Sequence, residues 1–169
     1  MFRSGKAIAL VVALSASGCY ESDFPLEPAP QVAVDASLLG TWRCLPSDAD
    51  PQEGPATVVV ESARERVYSV TWLEEGQNPD HYQAYASSVR VPRLLNIQEV
   101  KEGVGSTTWV FARYTLLRPH VLQLQLVSEK ALENVEKSPP AVRKAIERLQ
   151  GNPSLYEDFC VCVRAKDGK

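Results

Sequence analysis

The sequence has almost no histidine, no surplus of basic charge and no apolar run long enough to cross a bilayer. Its two histidines, His81 and His120, fall in or beside loops without the spacing of metal ligands, so neither a metal centre nor histidine acid–base chemistry is indicated. There is no Gly-x-Ser-x-Gly elbow. The glycine pair Gly103 and Gly105 runs into Ser106-Thr107-Thr108-Trp109, a strand pattern, where a phosphate loop would open a helix. Glu74-Glu75 with Asp80-His81 is the one acid–base grouping, and acidic pairs in turns are normally solvated. The chain is therefore read as a non-enzyme with no catalytic residue, no cofactor and no metal. The formal charge is −3, which offers no basic stripe for a nucleic acid to bind by counterion release.

What is present begins at the N-terminus. Arg3 and Lys6 precede the apolar stretch from Ala7 to Leu14, followed by the small residues Ser15-Ala16-Ser17-Gly18, which is the order of a secretory signal. The run is too short for a stable membrane span. The signal is read as residues 1–18. Its removal would leave 16 basic residues against 21 acidic ones.

The residues Leu14-Ser15-Ala16-Ser17-Gly18-Cys19 resemble the lipobox of bacterial lipoproteins. That resemblance implies acylation of Cys19, which becomes the first residue of the mature chain. Each buried methylene contributes ~0.8 kcal/mol, so several chains on one cysteine make an essentially permanent anchor. Tyr20 stands where the inner-membrane retention signal would carry Asp, so the resemblance implies an outer-membrane lipoprotein of the bacterial envelope.

Residues 19–37 contain Pro25, Pro28 and Pro30, scattered acids and no apolar period. They read as a tether that could extend roughly 50 Å at ~3.1 Å per residue, or equally as an unstructured tail of no particular length. Residues 38–165 form one domain, with 166–169 as a tail. About 130 residues suffice for one core and not for two.

Period-two alternation runs through the domain to about Ser128 and predicts strands over 41–45, 56–62, 66–73, 81–87, 93–100, 107–117 and 121–127. The clearest is Leu122-Gln123-Leu124-Gln125-Leu126, leucines on one face and glutamines on the other. It joins its predecessor through Arg118-Pro119-His120 in a long hairpin. Ser138-Pro139-Pro140 starts a helix whose apolar stripe is Val142, Ile146 and Leu149, and Gly151-Asn152-Pro153 stops it. A shorter helix is expected over 129–137, and a last strand over 157–164. Strands with short loops leave long edges unless the first and last meet. The predicted fold is mainly β, an eight-stranded antiparallel barrel with one or two helices before the last strand.

Leu38-Leu39-Gly40-Thr41-Trp42 resembles the Gly-x-Trp start of the first strand in lipocalins and the wider calycin group, where the tryptophan plugs the closed end and a helix precedes the last strand. The chain is also similar, over roughly 38–165, to uncharacterised bacterial lipoproteins sharing a Gly-Thr-Trp start. Leu95-Asn96-Ile97-Gln98 and the hairpin residues Trp109, Phe111 and Tyr114 carry the rest of that likeness, which implies no activity.

Cys44 lies in the first of these strands, Cys160 and Cys162 in the last. If the barrel closes through them, Cys44 can bridge to one of the pair. Alternation poses a conflict, because Cys44 shares a face with Trp42 while both late cysteines point opposite to Phe159, Val161 and Val163. Either a bulge shifts the register or Trp42 faces outward.

Two functions follow. The barrel could hold a small apolar ligand, with Tyr68, Trp72, Tyr82, Tyr85, Trp109 and Tyr114 as wall residues. Alternatively the barrel is filled, and an exposed apolar patch, expected on the helix 139–150, docks it on another envelope protein.

Overall fold

The structure, a computed structural model, describes residues 18–49, 54–89, 91 and 93–166. The expected signal up to Ser17, and with it Arg3 and Lys6, lies outside them.

Among the described residues nine strands make up a single sheet. A two-residue strand β1 (Glu21–Ser22) precedes β2 (Gly40–Pro46), β3 (Ala56–Arg64), β4 (Val67–Leu73), β5 (Asp80–Ala86), β6 (Leu94–Lys101), β7 (Val104–Arg118), β8 (Val121–Val127) and β9 (Tyr156–Arg164). From β2 to β9 each strand pairs antiparallel with the next, and β9 pairs back with β2. The result is the closed eight-stranded barrel that the alternation predicts. Closure leaves none of the eight with a long free edge. β1 is additional: it lies on β7 opposite Trp109 and Val110, just past the end of the β8 pairing.

Between β8 and β9 come the short helix α1 (Glu129–Leu132) and α2 (Pro139–Leu149), the two helices expected before the last strand. α2 begins with Pro139-Pro140 in its first turn behind Ser138, where a missing N–H costs nothing. It buries Val142, Ala145 and Ile146, with Leu149 packed less completely. α1 ends well short of the expected position 137. A single turn gains little by itself, and Leu132, fully buried, is what holds it.

The described residues form two large apolar cores and one small cluster around Cys19, Ala112 and Leu126. The barrel interior contains Trp42, Cys44, Val58, Tyr68, Trp72 and Leu122 among others. A second core lies outside the barrel wall, where Leu94 and Phe111 meet the residues of α2, Leu132, Leu155 and the N-terminal segment. In that outer core the expectation for residues 19–37 fails. Tyr20 and Leu26 are buried in it, and Tyr20 stacks on Phe111 with ring centroids 6.1 Å apart. The segment is a strap folded against the barrel, with its polar backbone groups met by groups far away in sequence.

Candidate functional site

Gly40 and Trp42 stand at the start of β2. The indole of Trp42 is fully buried, and its N–H donates to the carbonyl of Leu38 in a 3₁₀ turn, Ala36–Leu38. Arg164, at the end of β9, lies over the same ring at 4.2 Å and donates to the carbonyls of Leu39 and Ser37. Gly40 has φ +121, and a Cβ there would meet the guanidinium at 2.7 Å. The glycine of the Gly-x-Trp pattern is therefore required by its backbone angle, and a side chain there would also push the arginine that crosses it.

Four of the six aromatic residues proposed as cavity walls, Tyr68, Trp72, Tyr82 and Tyr114, meet in the barrel interior. Tyr85 and Trp109 do not. They touch edge to face, 5.8 Å apart, and Trp109 packs against the outer core. Alternation holds the reason: Tyr82 and Tyr85, like Trp109 and Tyr114, are an odd number of residues apart on one strand and must point to opposite sides.

Inside, the polar ends of three of these rings are engaged by the protein itself. The Asp35 backbone N–H donates to the Tyr68 hydroxyl at 2.5 Å, and the Tyr114 hydroxyl donates to an Asp35 carboxylate oxygen at 2.9 Å. Trp72 donates to Glu74 at 2.9 Å. Burial alone would raise the Asp35 carboxyl, but hydrogen bonds from the Ser37 hydroxyl and N–H and from Tyr114, with the charge of Arg93, outweigh it and hold its pKa below the ordinary value. Burial and the neighbouring acids Asp80, Glu99 and Glu74 keep the Tyr82 phenol protonated well beyond its usual range.

The cysteines settle the register. Cys44 pairs directly with Cys162 across β2 and β9, and the two are joined as a disulfide. Cys160 is a buried thiol, its sulfur 3.7 Å from that of Cys162. Of the two alternatives, the bulge is the one realised. The β8–β9 register shifts between Leu124 opposite Cys160 and Gln125 opposite Asp158, leaving Phe159 as the extra residue. Phe159 then packs inward against Trp72. Cys160 and Cys162 also point in, and Val161 and Val163 are turned to solvent, 43% and 48% exposed. Leu45, opposite Val161 on β2, is 52% exposed beside them. The exposed apolar strip thus lies on the β2–β9 wall, and the α2 face expected to carry it is buried.

One site was not visible in the sequence. Glu27 is 3% exposed. One of its carboxylate oxygens accepts from the Ser87 hydroxyl at 2.6 Å, the Ser88 N–H at 2.8 Å, the Ser88 hydroxyl at 3.1 Å and the Val89 N–H at 3.1 Å. Arg143 of α2 stands 3.5 Å from that same oxygen, and the other accepts from Asn96 at 3.1 Å. Asn96 also accepts from the Leu26 N–H, and the Tyr85 hydroxyl donates to the Glu27 carbonyl. This latch fastens the strap to β5, β6 and α2. Its donors are 60 or more residues away, which no local pattern reveals.

Cys19, the residue matched to lipidation, is 5% exposed and packs with Ala112 and Leu126. It forms an isolated bridge with Ser128. Cys44, Cys160 and Cys162 bring three sulfurs within 4.8 Å, but two of them are consumed by the disulfide. No helix among the described residues is long and apolar enough to cross a membrane.

No protein-family model, curated protein or solved structure matches this chain. Its function has to be argued from the geometry.

Proposed function

We propose that this is an outer-membrane lipoprotein of the bacterial envelope, anchored through an acylated Cys19, whose filled, lipocalin-like barrel docks on another envelope protein by the strip Leu45, Val161 and Val163. The inverted last strand is the observation that carries this reading. A β strand of a barrel gains most by burying its valines, yet here the bulge at Phe159 places two of them in water. An apolar centre with a polar rim is the anatomy of a protein interface. The rim is supplied by Arg43 opposite Val163, by Gln123 opposite Val161, and by Asp158.

Three or four side chains fall well short of the roughly 1,000 Å² that a stable free complex buries. Anchoring supplies what the area lacks: two proteins held in one membrane meet at high effective concentration, so a weak contact becomes populated. A small apolar ligand inside the barrel is the less supported reading, because the indoles of Trp42 and Trp72 and the phenols of Tyr68 and Tyr114 are held by Leu38, Glu74 and Asp35.

The test is a photo-crosslinking amino acid at Val161 in the full chain, expressed in a diderm host, with Cys19 acylation checked by mass. The expected result is a crosslink to one other envelope protein that disappears when Val163→Asp is added. Crosslinks only to lipid, only to a second copy, or unaffected by Val163→Asp would refute the docking role. An unacylated Cys19 would refute the anchor alone.

A further inference from the structure

Three sulfurs sit together in the barrel interior. Cys44, Cys160 and Cys162 are all fully buried, and their Sγ atoms lie within 4.8 Å of one another. Two features of the sheet assemble them. Cys160 and Cys162 are two apart on β9 and so share its inner face, and Cys44 of β2 is in register with Cys162. Cys44 and Cys162 are 118 residues apart in the chain, so barrel closure itself brings a third sulfur to the Cys160-x-Cys162 pair.

The wall around them is apolar. Ala56 of β3 stands opposite Cys44, and Leu122 and Leu124 of β8 stand opposite Cys162 and Cys160. No histidine or carboxylate joins the three among the described residues. The site therefore offers sulfur alone, in a set of three. A metal–thiolate bond of ~2.3 Å, the length found for zinc, puts three trigonal sulfurs about 4.0 Å apart. The Cys160–Cys162 separation is 3.7 Å, and Cys44 lies within 4.8 Å of Cys160. Only the bonded pair, Cys44 and Cys162, has to move apart, and reduction of the bridge releases it.

We propose that, with the bridge reduced, Cys44, Cys160 and Cys162 form a three-sulfur site for the soft cation Cu(I). Soft thiolates select Cu(I) and zinc, but a structural zinc site takes four ligands and three are present here. Disulfide and metal exclude each other, because both need Cys44 and Cys162. The reductant is a dithiol. It gives two electrons and two protons to the Cys44–Cys162 bond, which breaks to two thiols, while the dithiol closes to its own disulfide. Cu(I) then displaces thiol protons into water and bonds to sulfur with no change of oxidation state. Metal in place of the bridge still ties β2 to β9, so the barrel stays closed in both forms. The site is independent of the docking strip, since Val161 and Val163 leave the opposite face of β9.

The test titrates the full chain in a non-ionic detergent, without oxygen, with Cu(I) in competition with a chromogenic Cu(I) chelator. The chain is compared in its bridged form and after reduction by a phosphine that is then removed. The expected result is one Cu(I) per reduced chain, none on the bridged chain, and a shell of three sulfurs in X-ray absorption. The bridged chain keeps Cys19 and Cys160 and so controls for both. Cys160→Ala retains Cys44 and Cys162: its oxidised form should still bridge and melt cooperatively, while its reduced form binds Cu(I) roughly tenfold or more weakly than the parent. No stoichiometric uptake by the reduced chain, equal uptake by the bridged chain, or undiminished binding by Cys160→Ala overturns the site. So does tighter binding of Zn(II) than of Cu(I), or a reduced chain that has lost its strand signal before copper is added.

Discussion

The sulfur of Cys160 lies 3.7 Å from that of Cys162, which is already joined to Cys44, so the bulge at Phe159 has placed a thiol beside a disulfide in a sealed interior. Burial pushes the Cys160 thiol up to about 12, and only a thiolate attacks a disulfide or an alkylating reagent. Cys160 is expected to resist iodoacetamide at pH 8 in the native protein and to react at once in denaturant. Peptide mapping without reduction should give Cys44–Cys162 as the bridge. Rapid native labelling, or a Cys44–Cys160 peptide, would contradict the arrangement.

Loss of that bridge is expected to be costly. It spans 118 residues, for which the chain-entropy account gives about 5 kcal/mol, and measured values for native bridges run ~2–5 kcal/mol. The double variant Cys44→Ala, Cys162→Ala should lower the denaturant midpoint accordingly. A change under about 1 kcal/mol would mean that barrel closure is maintained by the strands alone.

Glu27→Ala should loosen the strap without opening the barrel. The substitution strands the buried Asn96 amide and the Ser88 N–H, while the Val89 N–H keeps only the Ser87 hydroxyl at 3.2 Å, and each buried donor left unpaired costs about 1–3 kcal/mol. Hydrogen exchange is the direct readout. Amides of Tyr20 and Leu26 should exchange much faster in the variant, while β2 and β9 stay protected, and uniform loss of protection would show that strap and barrel unfold as one unit.

Asp35 ties pH to stability. Its pKa is held below the unfolded value, so it contributes stability that is complete above about pH 4 and disappears as pH falls through the native pKa. Thermal melts of the parent should therefore lose stability across that acid window more steeply than melts of Asp35→Asn. The two curves should differ most at neutral pH and converge in acid. Parallel curves would remove Asp35 from the account.

Tyr156→Phe is expected to be neutral or slightly stabilising. The Tyr156 hydroxyl is buried with no hydrogen-bond partner among the described residues, and an unsatisfied buried hydroxyl is a cost that phenylalanine does not carry. The ring, which supports Arg113, is retained. A loss above about 1 kcal/mol would reveal a partner for that hydroxyl.

The barrel could be read in the sequence because alternation is local: Leu122, Leu124 and Leu126 point inward with no reference to anything distant. The hairpin through Pro119 and the helix behind Ser138 are local for the same reason. Three features depended on long-range facts. The strap has Tyr20 and Leu26 six apart among prolines, with no period to betray burial. Glu27 looks like any surface acid until its donors arrive from 87 to 96. Nothing in Asp158-Phe159-Cys160 marks a bulge, so the face of Val161 and Val163 could be stated only as a choice. The inclusion of Tyr85 and Trp109 among cavity walls is different, since counting residues along each strand already separates them from Tyr82 and Tyr114.

The latch also fixes how this molecule would bear a mechanical load applied at its N-terminus. Tension entering at Cys19 meets the bridge to Ser128 and the short β1–β7 pairing first, and then Glu27, whose bonds to β5, β6 and α2 would have to give way together. Beyond that point come Asp35 with the 3₁₀ turn Ala36–Leu38 and then β2, which cannot be peeled from the barrel, because Cys44 joins it covalently to β9. A pull that defeats the latch would lengthen the molecule by the strap alone and leave the barrel whole at the end of it.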